Sequence, residues 1–279
     1  MAGGKWKTWL HPPDYNMRIL FATKGHQMHL FFIRHAQSIN NAHWGKPGFR
    51  ESPDPVLTET GVQQAKVLAE HLDENQHIHE HEEWDPANVH GYGITHLYAS
   101  LMERAVRTAS YTGDRLGVPF EAWDIHESGG IFGRDGVQGR EDASQLVGLP
   151  GKPRSFFETN FPTFRLSHSL DETGCWNRAF ETGEECQVRA ERIWQDLLTR
   201  HGDREGQPEH RVAFVSHGGF FMHLMCAILD LPWRQASHGL KSWFLLSNCS
   251  ISHIEVRREE VIVCYLNRTD HLPGHLVTG

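Results

Sequence analysis

Two arginines and two histidines follow short apolar runs of the sequence, where a fold could bring them together. Arg34 and His35 follow the first run, and Arg104 comes soon after the second. His217 follows the third run. Guanidinium groups bind the oxygens of a phosphoryl group, and an imidazole can attack phosphorus to form a covalent intermediate. Since phosphoryl transfer needs mainly positioning and charge stabilisation, these residue types predict that chemistry.

The three apolar runs predict buried strands, which cover 28–33, 94–99 and 211–215. Near the end of the chain, two more strands are predicted over 243–255 and 260–266. Ligands of open α/β sheets bind outside the carboxyl ends of the strands, where neighbouring loops diverge. The four side chains are therefore expected to converge at one edge of the sheet.

Helices are predicted where apolar residues recur at three- and four-residue steps, over 58–74, 102–116, 184–200 and 219–229. Thr58 is expected to cap the first helix, and Gly117 to end the second. Because strands and helices alternate, the predicted fold class is α/β. The expected architecture is a three-layer sandwich, with a mostly parallel central sheet flanked by helices.

The predicted domain organisation is an N-terminal extension over 1–27 and a single domain over 28–279. Residues 128–183 are rich in Gly, Pro, Arg and aromatic residues without a sustained period, which favours an inserted cap that sets substrate choice. Five aromatic residues are expected to form a small core within this cap: Phe156, Phe157, Phe161, Phe164 and Trp176.

The composition narrows the partner classes. The chain has 279 residues and a net charge of -8 without a basic run, which argues against nucleic acid as a partner. Its apolar runs are too short for a membrane span, so no membrane partner is expected. Its five cysteines are odd in number and lack C-x-x-C spacing, which favours a reducing, cytoplasmic location. A monomer and a homodimer both remain open.

The chain contains 21 histidines, and only a few are expected to do chemistry. Four of them lie with glutamates in the polar loop 71–81, where a metal site is one interpretation: His71, His77, His79 and His81. A solvated surface segment is the favoured interpretation, so neither a metal site nor a cofactor is predicted. Most of the remaining histidines are expected to reflect surface composition.

Four sequence motifs, in a fixed order, are similar to those of the histidine phosphatase superfamily, also called the phosphoglycerate mutase-like fold. The motifs are Arg34-His35-Ala36 with Ser38 and Asn41, Asp54 to Ala65, Ser100 to Ala105, and Ser216-His217-Gly218. Ala36 stands where the family usually has glycine. The resemblance implies that His35 is the nucleophile that becomes phosphohistidine. It also implies a set of residues that bind the transferring phosphoryl group: Arg34, Asn41, Arg104, His217 and Gly218.

In this family the general acid is usually an Asp or Glu side chain that lies, in the sequence, between the second arginine and the second histidine. Glu127 is the residue chosen here, with Asp124, Asp135 and Glu141 as competitors. A carboxylic acid in this role needs a raised pKa to protonate a leaving alkoxide near neutral pH.

The predicted function is a metal-independent phosphatase, a phosphoric monoester hydrolase that acts on a small phosphorylated metabolite. A phosphomutase would use the same residues and return the phosphoryl group to its substrate. A non-catalytic module could keep the pocket to bind a phosphorylated ligand, and a third alternative is a pocket recruited for non-phosphoryl chemistry. The presence of His35 weighs against simple binding, because a binding module does not need the nucleophile.

Overall fold

The computed structural model describes residues 27–77, 84–134, 146–202, 208–233, 243–257 and 260–279. Eight strands lie within these ranges: β1 (Gln27–Arg34), β2 (His96–Ala99), β3 (Phe120–Ala122), β4 (Phe132–Arg134), β5 (Leu146–Gly148), β6 (His210–Ser216), β7 (Ile251–Arg257) and β8 (Glu260–Arg268). The same ranges hold six α-helices: α1 (Ile39–His43), α2 (Glu59–Glu74), α3 (Glu103–Leu116), α4 (Arg154–Asn160), α5 (Gly183–His201) and α6 (Gly218–Ile228). A short 3-10 helix covers Gly274–Leu276.

Six strands form one sheet in the order β3-β2-β6-β1-β7-β8. Strands β3, β2, β6 and β1 are mutually parallel, whereas β7 and β8 are antiparallel to their neighbours. Strands β4 and β5 form a separate antiparallel pair. The predicted α/β class with a mostly parallel central sheet is confirmed.

Helices cover both faces of the sheet because the central strands are apolar on both sides. In β1, Phe31 and Ile33 contribute to the cluster shared with α2 and α3. Leu30 and Phe32 point the other way, into the cluster shared with α5 and α6. All four side chains are fully buried, which explains why β1 has a continuous apolar run.

The predicted helix ends at Thr58 and Gly117 are confirmed. The Thr58 hydroxyl accepts a hydrogen bond from the backbone N–H of Gly61 at the start of α2. Gly117 ends α3 with φ 62°, a left-handed conformation that favours glycine.

The five aromatic residues predicted to form a core within 128–183 do not pack as one group, contrary to the prediction, and Trp176 lies in a separate small cluster with Ile131 and Met102. Phe157, Phe161 and Phe164 belong to the main cluster on the α2–α3 side of the sheet. The Phe164 ring lies 4.4 Å from that of Phe120 in β3, centroid to centroid. Part of the predicted cap therefore packs on the central sheet, because its aromatic side chains gain more burial there than among themselves.

The strand predicted over 243–255 begins only at Ile251. The residues before it leave the extended conformation, since Cys249 has φ 57° and Ser247 donates its N–H to the Asn267 side chain. The extension predicted over 1–27 lies outside the described residues, except for the start of β1. No helix in the described ranges is long and apolar enough to cross a membrane.

Candidate active site

The carboxyl ends of β1 and β6 bring two of the predicted site segments together. Arg34 and Ser216 are register partners at the ends of these parallel strands. Just beyond them, the backbone N–H of His35 donates to the Ser216 carbonyl oxygen at 2.9 Å. The rings of His35 and His217 consequently lie 5.1 Å apart, centroid to centroid.

The hydrogen bonds of His35 determine which ring nitrogen can act as a nucleophile. Its Nδ1 lies 2.7 Å from the Ala36 carbonyl oxygen, which can only accept, so the proton is on Nδ1. Nε2 then carries the lone pair, and it accepts a hydrogen bond from Nε of Arg104 at 3.2 Å. The unprotonated nitrogen, which is the one that can attack phosphorus, thus lies beside a guanidinium group, and attack requires that Arg104 release its lone pair.

Burial keeps His35 neutral. The ring is 3% exposed, and this burial, together with the positive charges of Arg104 and Arg34, holds the pKa of His35 well below its usual range. A neutral imidazole is the form that can attack phosphorus, so the site supplies the nucleophile without a separate base.

Both arginines keep polar atoms available for a ligand. Arg34 donates from Nη1 to the Leu246 carbonyl oxygen, and Nη1 of Arg104 lies 3.8 Å from Oδ1 of Asp54. Among the described residues, Nε of Arg34 and Nη1 of Arg104 are buried without a hydrogen-bond partner. Buried donors of this kind are expected to be satisfied by a bound group, here an anion.

His217 is fully buried and presents its other ring nitrogen in the same way. Its Nε2 lies 2.9 Å from the Ser100 hydroxyl, and no described residue bonds its buried Nδ1. Burial, with the charges of Arg104 and His35, holds the pKa of His217 well below its usual range. When Ser100 donates to Nε2, the proton of His217 lies on Nδ1 and can be donated to a phosphoryl oxygen.

Glu127 reaches the site from the segment after β3. Its Oε1 accepts hydrogen bonds from the backbone N–H groups of Ser128 at 2.8 Å and Phe220 at 3.0 Å. A Cβ added at Gly219 would lie only 2.2 Å from this oxygen, so glycine is needed there for the carboxylate to sit against the start of α6. Glu127 also interacts electrostatically with Arg34 and Arg104.

Asp124, the nearest competitor in sequence for the acid role, is held as an ion. Its carboxylate contacts Arg178 at 3.0 Å, Arg192 at 2.7 Å and Nδ1 of His126 at 3.0 Å. Burial by itself would raise the pKa of Asp124, but His126, Arg189 and Arg178 lower it well below its usual range. Such a group does not carry a proton near neutral pH, whereas the other competitors, Asp135 and Glu141, lie outside the described residues.

Residues 30–125 and 149–269 match the model of the histidine phosphatase superfamily, branch 1, so the match covers well over half of the chain. The chain belongs to the histidine phosphatase superfamily. A comparison with curated proteins found no match. The superfamily match leaves out residues 126–148, which include Glu127.

Solved structures with the superfamily fold resemble the chain over most of its length. A mycobacterial glucosyl-3-phosphoglycerate phosphatase is 18% identical with a TM-score of 0.50, covering 87% of this chain and 100% of its own. A phosphoserine phosphatase from Entamoeba histolytica is 17% identical with a TM-score of 0.51, covering 88% and 100%. A putative alpha-ribazole-5'-P phosphatase from Escherichia coli is 18% identical with a TM-score of 0.53, covering 86% and 96%. At these identities the likeness shows the fold.

Two further residues from the superfamily motifs lie around this centre. Asn41 uses its Oδ1 to accept from the Ser38 backbone and hydroxyl, which caps α1, and from Nδ2 of Asn248 at 3.3 Å. Gly218 begins α6, and a Cβ added to it would lie 3.9 Å from Nε of Arg34. The structure therefore places both beside the arginine–histidine centre, with the Asn41 oxygen already engaged in local structure.

Three residues that support the centre were not among the predicted site residues. Asn248 donates from Nδ2 to the His35 carbonyl oxygen at 2.9 Å, and Thr108 accepts from the Ala36 N–H at 3.0 Å. Arg189 donates to the carbonyl oxygens of Asp124 and His126 and forms a buried ion pair with Glu181. Apart from the Arg189–Glu181 pair, whose members are eight positions apart, these contacts join segments far apart in the chain, so no local spacing could have shown them.

The expectation that most other histidines reflect surface composition is wrong. Within the described ranges four of them are buried, and most of the others are half-buried: the buried ones are His29, His201, His223 and His253. In the loop 71–81, His71 stacks on His271 at 4.9 Å between ring centroids, while His79 and His81 lie outside the described residues.

Proposed function

We propose that the protein is a phosphatase that hydrolyses a small phosphorylated metabolite through a phosphohistidine on His35. The observation that carries this proposal is the neutral His35, whose Nε2 lone pair lies beside Arg104 Nε at 3.2 Å. Membership of the histidine phosphatase superfamily supports it. So do the names of proteins with the same fold, a phosphoserine phosphatase and a glucosyl-3-phosphoglycerate phosphatase.

In the first step, the lone pair on Nε2 of His35 attacks phosphorus and the bond from phosphorus to the substrate oxygen breaks. Glu127 gives its proton to the departing oxygen, which leaves as an alcohol. Arg34 and Arg104 bind the equatorial oxygens, where negative charge accumulates in the transition state. His217 contributes a further donor from Nδ1.

In the second step, Glu127 acts as the base that the first step has generated. It takes a proton from a water molecule whose oxygen attacks phosphorus, and the bond between phosphorus and Nε2 breaks. Inorganic phosphate leaves, His35 regains its lone pair, and Glu127 regains its proton.

Phosphorylation of His35 is tested by a single-turnover experiment. The full chain is mixed with a phosphomonoester labelled on phosphorus, quenched in base, and digested to locate the label. We expect acid-labile, base-stable label in the His35 peptide, absent from His35→Ala and retained in the exposed control His168→Ala.

Analysis of the products separates the proposed hydrolysis from its rivals. Release of inorganic phosphate supports a phosphatase, and return of label to an isomer of the substrate shows a mutase. An enzyme that binds phosphoesters by calorimetry but acquires no label across a panel of substrates would overturn the proposal. The panel includes sugar phosphates, nucleotides, phosphoamino acids and prenyl phosphates.

A further inference from the structure

Three histidines meet at the edge of the sheet opposite the candidate active site. His96 begins β2, His210 begins β6, and His201 ends α5. One ring nitrogen from each lies within 4.8 Å of the others, and Nδ1 of His201 lies 2.9 Å from Nδ1 of His210. We propose that these three histidines bind a divalent transition-metal ion of the zinc type.

The distances suit a metal bound by imidazole nitrogens. Zinc–nitrogen bonds are about 2.0–2.1 Å long, so two ligands of a tetrahedral ion are separated by about 3.4 Å. The 2.9 Å between the Nδ1 atoms of His201 and His210 is somewhat shorter than this value, and all three nitrogens lie within 4.8 Å of one another, so small rotations of the rings would bring them to ligand distances. Three imidazoles favour Zn²⁺, Ni²⁺ or Cu²⁺ over Mg²⁺ or Ca²⁺, which prefer oxygen ligands.

The backbone of the fold brings the three residues together. Strands β2 and β6 are adjacent and parallel, and His96 is the register partner of Val212, two residues after His210. Because alternate strand residues share a face, His96 and His210 lie on the same side of the sheet. That side is covered by α5, whose last residue is His201.

Hydrogen bonds from outside the cluster fix the orientation of two rings, as they commonly do for metal-binding histidines. Nε2 of His201 lies 3.0 Å from the Tyr98 hydroxyl, which leaves Nδ1 as the ligand atom. The Thr95 hydroxyl donates to the Arg211 carbonyl oxygen at 3.2 Å and lies 2.8 Å from Nδ1 of His96. With the hydroxyl proton on the Arg211 carbonyl oxygen, Nδ1 of His96 donates to Thr95, and Nε2 is then the ligand atom.

The electrostatic environment and the position of the site indicate a structural ion. The carboxyl end of α5 carries the negative end of the helix dipole, which stabilises a nearby cation. From His210 to His217 the chain runs the length of β6, about 23 Å at 3.3 Å per residue. The metal would therefore tie α5 to the sheet and take no part in phosphoryl transfer.

Titration of the metal-free, untagged full chain with Zn²⁺ alone tests the proposal. We expect one site whose affinity falls at least about tenfold in His96→Gln and in His210→Gln. The exposed His77→Gln is the matched control and should leave that affinity unchanged. Tyr98→Phe keeps all three ligands but removes the bond to His201, so it should weaken binding by about 10- to 100-fold.

Co²⁺ gives an independent spectroscopic readout. Bound at this site, it should show visible absorption of a nitrogen-ligated, low-symmetry ion, lost in His96→Gln and in His210→Gln and retained in His77→Gln. Circular dichroism of each variant without metal verifies folding, and Tyr98→Phe keeps the test decisive if a ligand variant does not fold. Zn²⁺ affinity and Co²⁺ spectra that are equal in wild type, His210→Gln and Tyr98→Phe would overturn the proposal.

Discussion

Arg34 and Arg104 have two roles beside His35, one toward its ring and one toward a bound phosphoryl group. The positive charges of Arg34 and Arg104 help to keep the imidazole neutral, and the same charges can bind the oxygens of a phosphoryl group. One electrostatic arrangement thus prepares the nucleophile and favours the anion that it attacks. The hydrogen bond from Nδ1 of His35 to the Ala36 carbonyl oxygen determines which nitrogen attacks, because it leaves the lone pair on Nε2.

Removal of the Arg104 guanidinium should weaken transition-state stabilisation more than folding. We expect Arg104→Gln to lower kcat/KM by about 10²- to 10³-fold, the range for loss of a donor to a developing oxyanion. Arg115 lies on the same helix and forms an exposed ion pair with Asp73. The kcat/KM of Arg115→Gln should therefore stay within about twofold of the wild-type value. Equal losses in the two variants would contradict the role of Arg104. Steady-state kinetics with one phosphomonoester measures both.

Substitution of Glu127 should affect catalysis, and substitution of Asp124 should affect stability, although the two residues are only three positions apart. Glu127→Gln should lower kcat strongly for alkyl phosphates and less for aryl phosphates, whose leaving groups need no proton. Asp124→Asn should instead lower stability, because Asp124 contacts Arg178, Arg192 and His126. Kinetics with two leaving groups, combined with thermal melting, distinguishes the roles. If kcat depended on the leaving group in Asp124→Asn but not in Glu127→Gln, Asp124 would be the general acid and Glu127 would not.

The helices α3 and α6 are both preceded by an N-cap residue whose side chain does not cap the helix. Met102 and His217 hold the N-cap positions, and neither side chain makes a capping hydrogen bond. Carboxylates from elsewhere in the chain bond the first turns instead. Asp54 accepts from the Glu103 N–H at 3.0 Å, and Glu127 accepts from the Phe220 N–H at 3.0 Å. Tertiary contacts thereby place acidic groups beside both elements that carry site residues.

The close approach of Glu127 to α6 predicts the effect of a methyl group at Gly219. In Gly219→Ala the new Cβ would displace the Glu127 carboxylate, whose end can rotate away without disturbing the backbone. We expect kcat for an alkyl phosphate to fall about as far as in Glu127→Gln, with a nearly unchanged melting temperature. The control Gly274→Ala adds a Cβ into open space and should be neutral.

The double variant Gly219→Ala/Glu127→Gln tests whether the two residues act through one contact. Its kcat should be no lower than that of Glu127→Gln alone, because the carboxylate is already missing. Fully additive losses would show that Gly219 acts independently of Glu127.

Across the whole molecule, neutral histidines are part of the packed interior. Burial lowers the pKa of His253 to about 3 and that of His271 to about 4. It also lowers the pKa values of five others: His35, His71, His126, His217 and His223. Because burial removes these rings from water, and positively charged neighbours repel a further proton at His35 and His217, their charged forms are destabilised in the folded state.

These shifts predict a loss of stability in mild acid. A histidine with a lowered folded-state pKa binds fewer protons folded than unfolded between that pKa and about 6.5. The free energy of unfolding should therefore fall as pH falls through this window, by about 1.4 kcal/mol per pH unit for each such histidine. Urea unfolding at pH 7, 6 and 5 measures the slope.

His253→Phe isolates one contribution to that slope. The His253 ring stacks on Phe31 at 4.7 Å between centroids, and phenylalanine keeps this stacking. It loses the contacts of the ring nitrogens with Nδ1 of His29 at 2.8 Å and with the Pro86 carbonyl oxygen at 3.3 Å, so stability at pH 7 should fall. Between pH 6 and 5 the slope of the unfolding free energy against pH should decrease by about 1.4 kcal/mol per pH unit, the contribution of one histidine. This holds whatever the change in stability at pH 7. The exposed control His168→Phe should leave the slope as in wild type, and an equal decrease there would contradict the assignment.

The sequence by itself determined the α/β class, most helix and strand positions, and the family. Periodicity is a local property, and so are the caps at Thr58 and Gly117 and the motif around His35. These signals need only neighbouring residues. They also placed Arg34 and His217 at strand ends and Arg104 soon after another strand, where parallel strands lead to one edge.

Only the tertiary structure decided which partners each of these residues meets. Asn248 bonds the backbone of His35 from 213 positions away, and Arg189 holds the segment before Glu127 against α5. Phe157, Phe161 and Phe164 joined the main core, and His96, His201 and His210 formed a cluster, because burial free energy depends on packing between distant elements. Sequence spacing carries no record of such contacts.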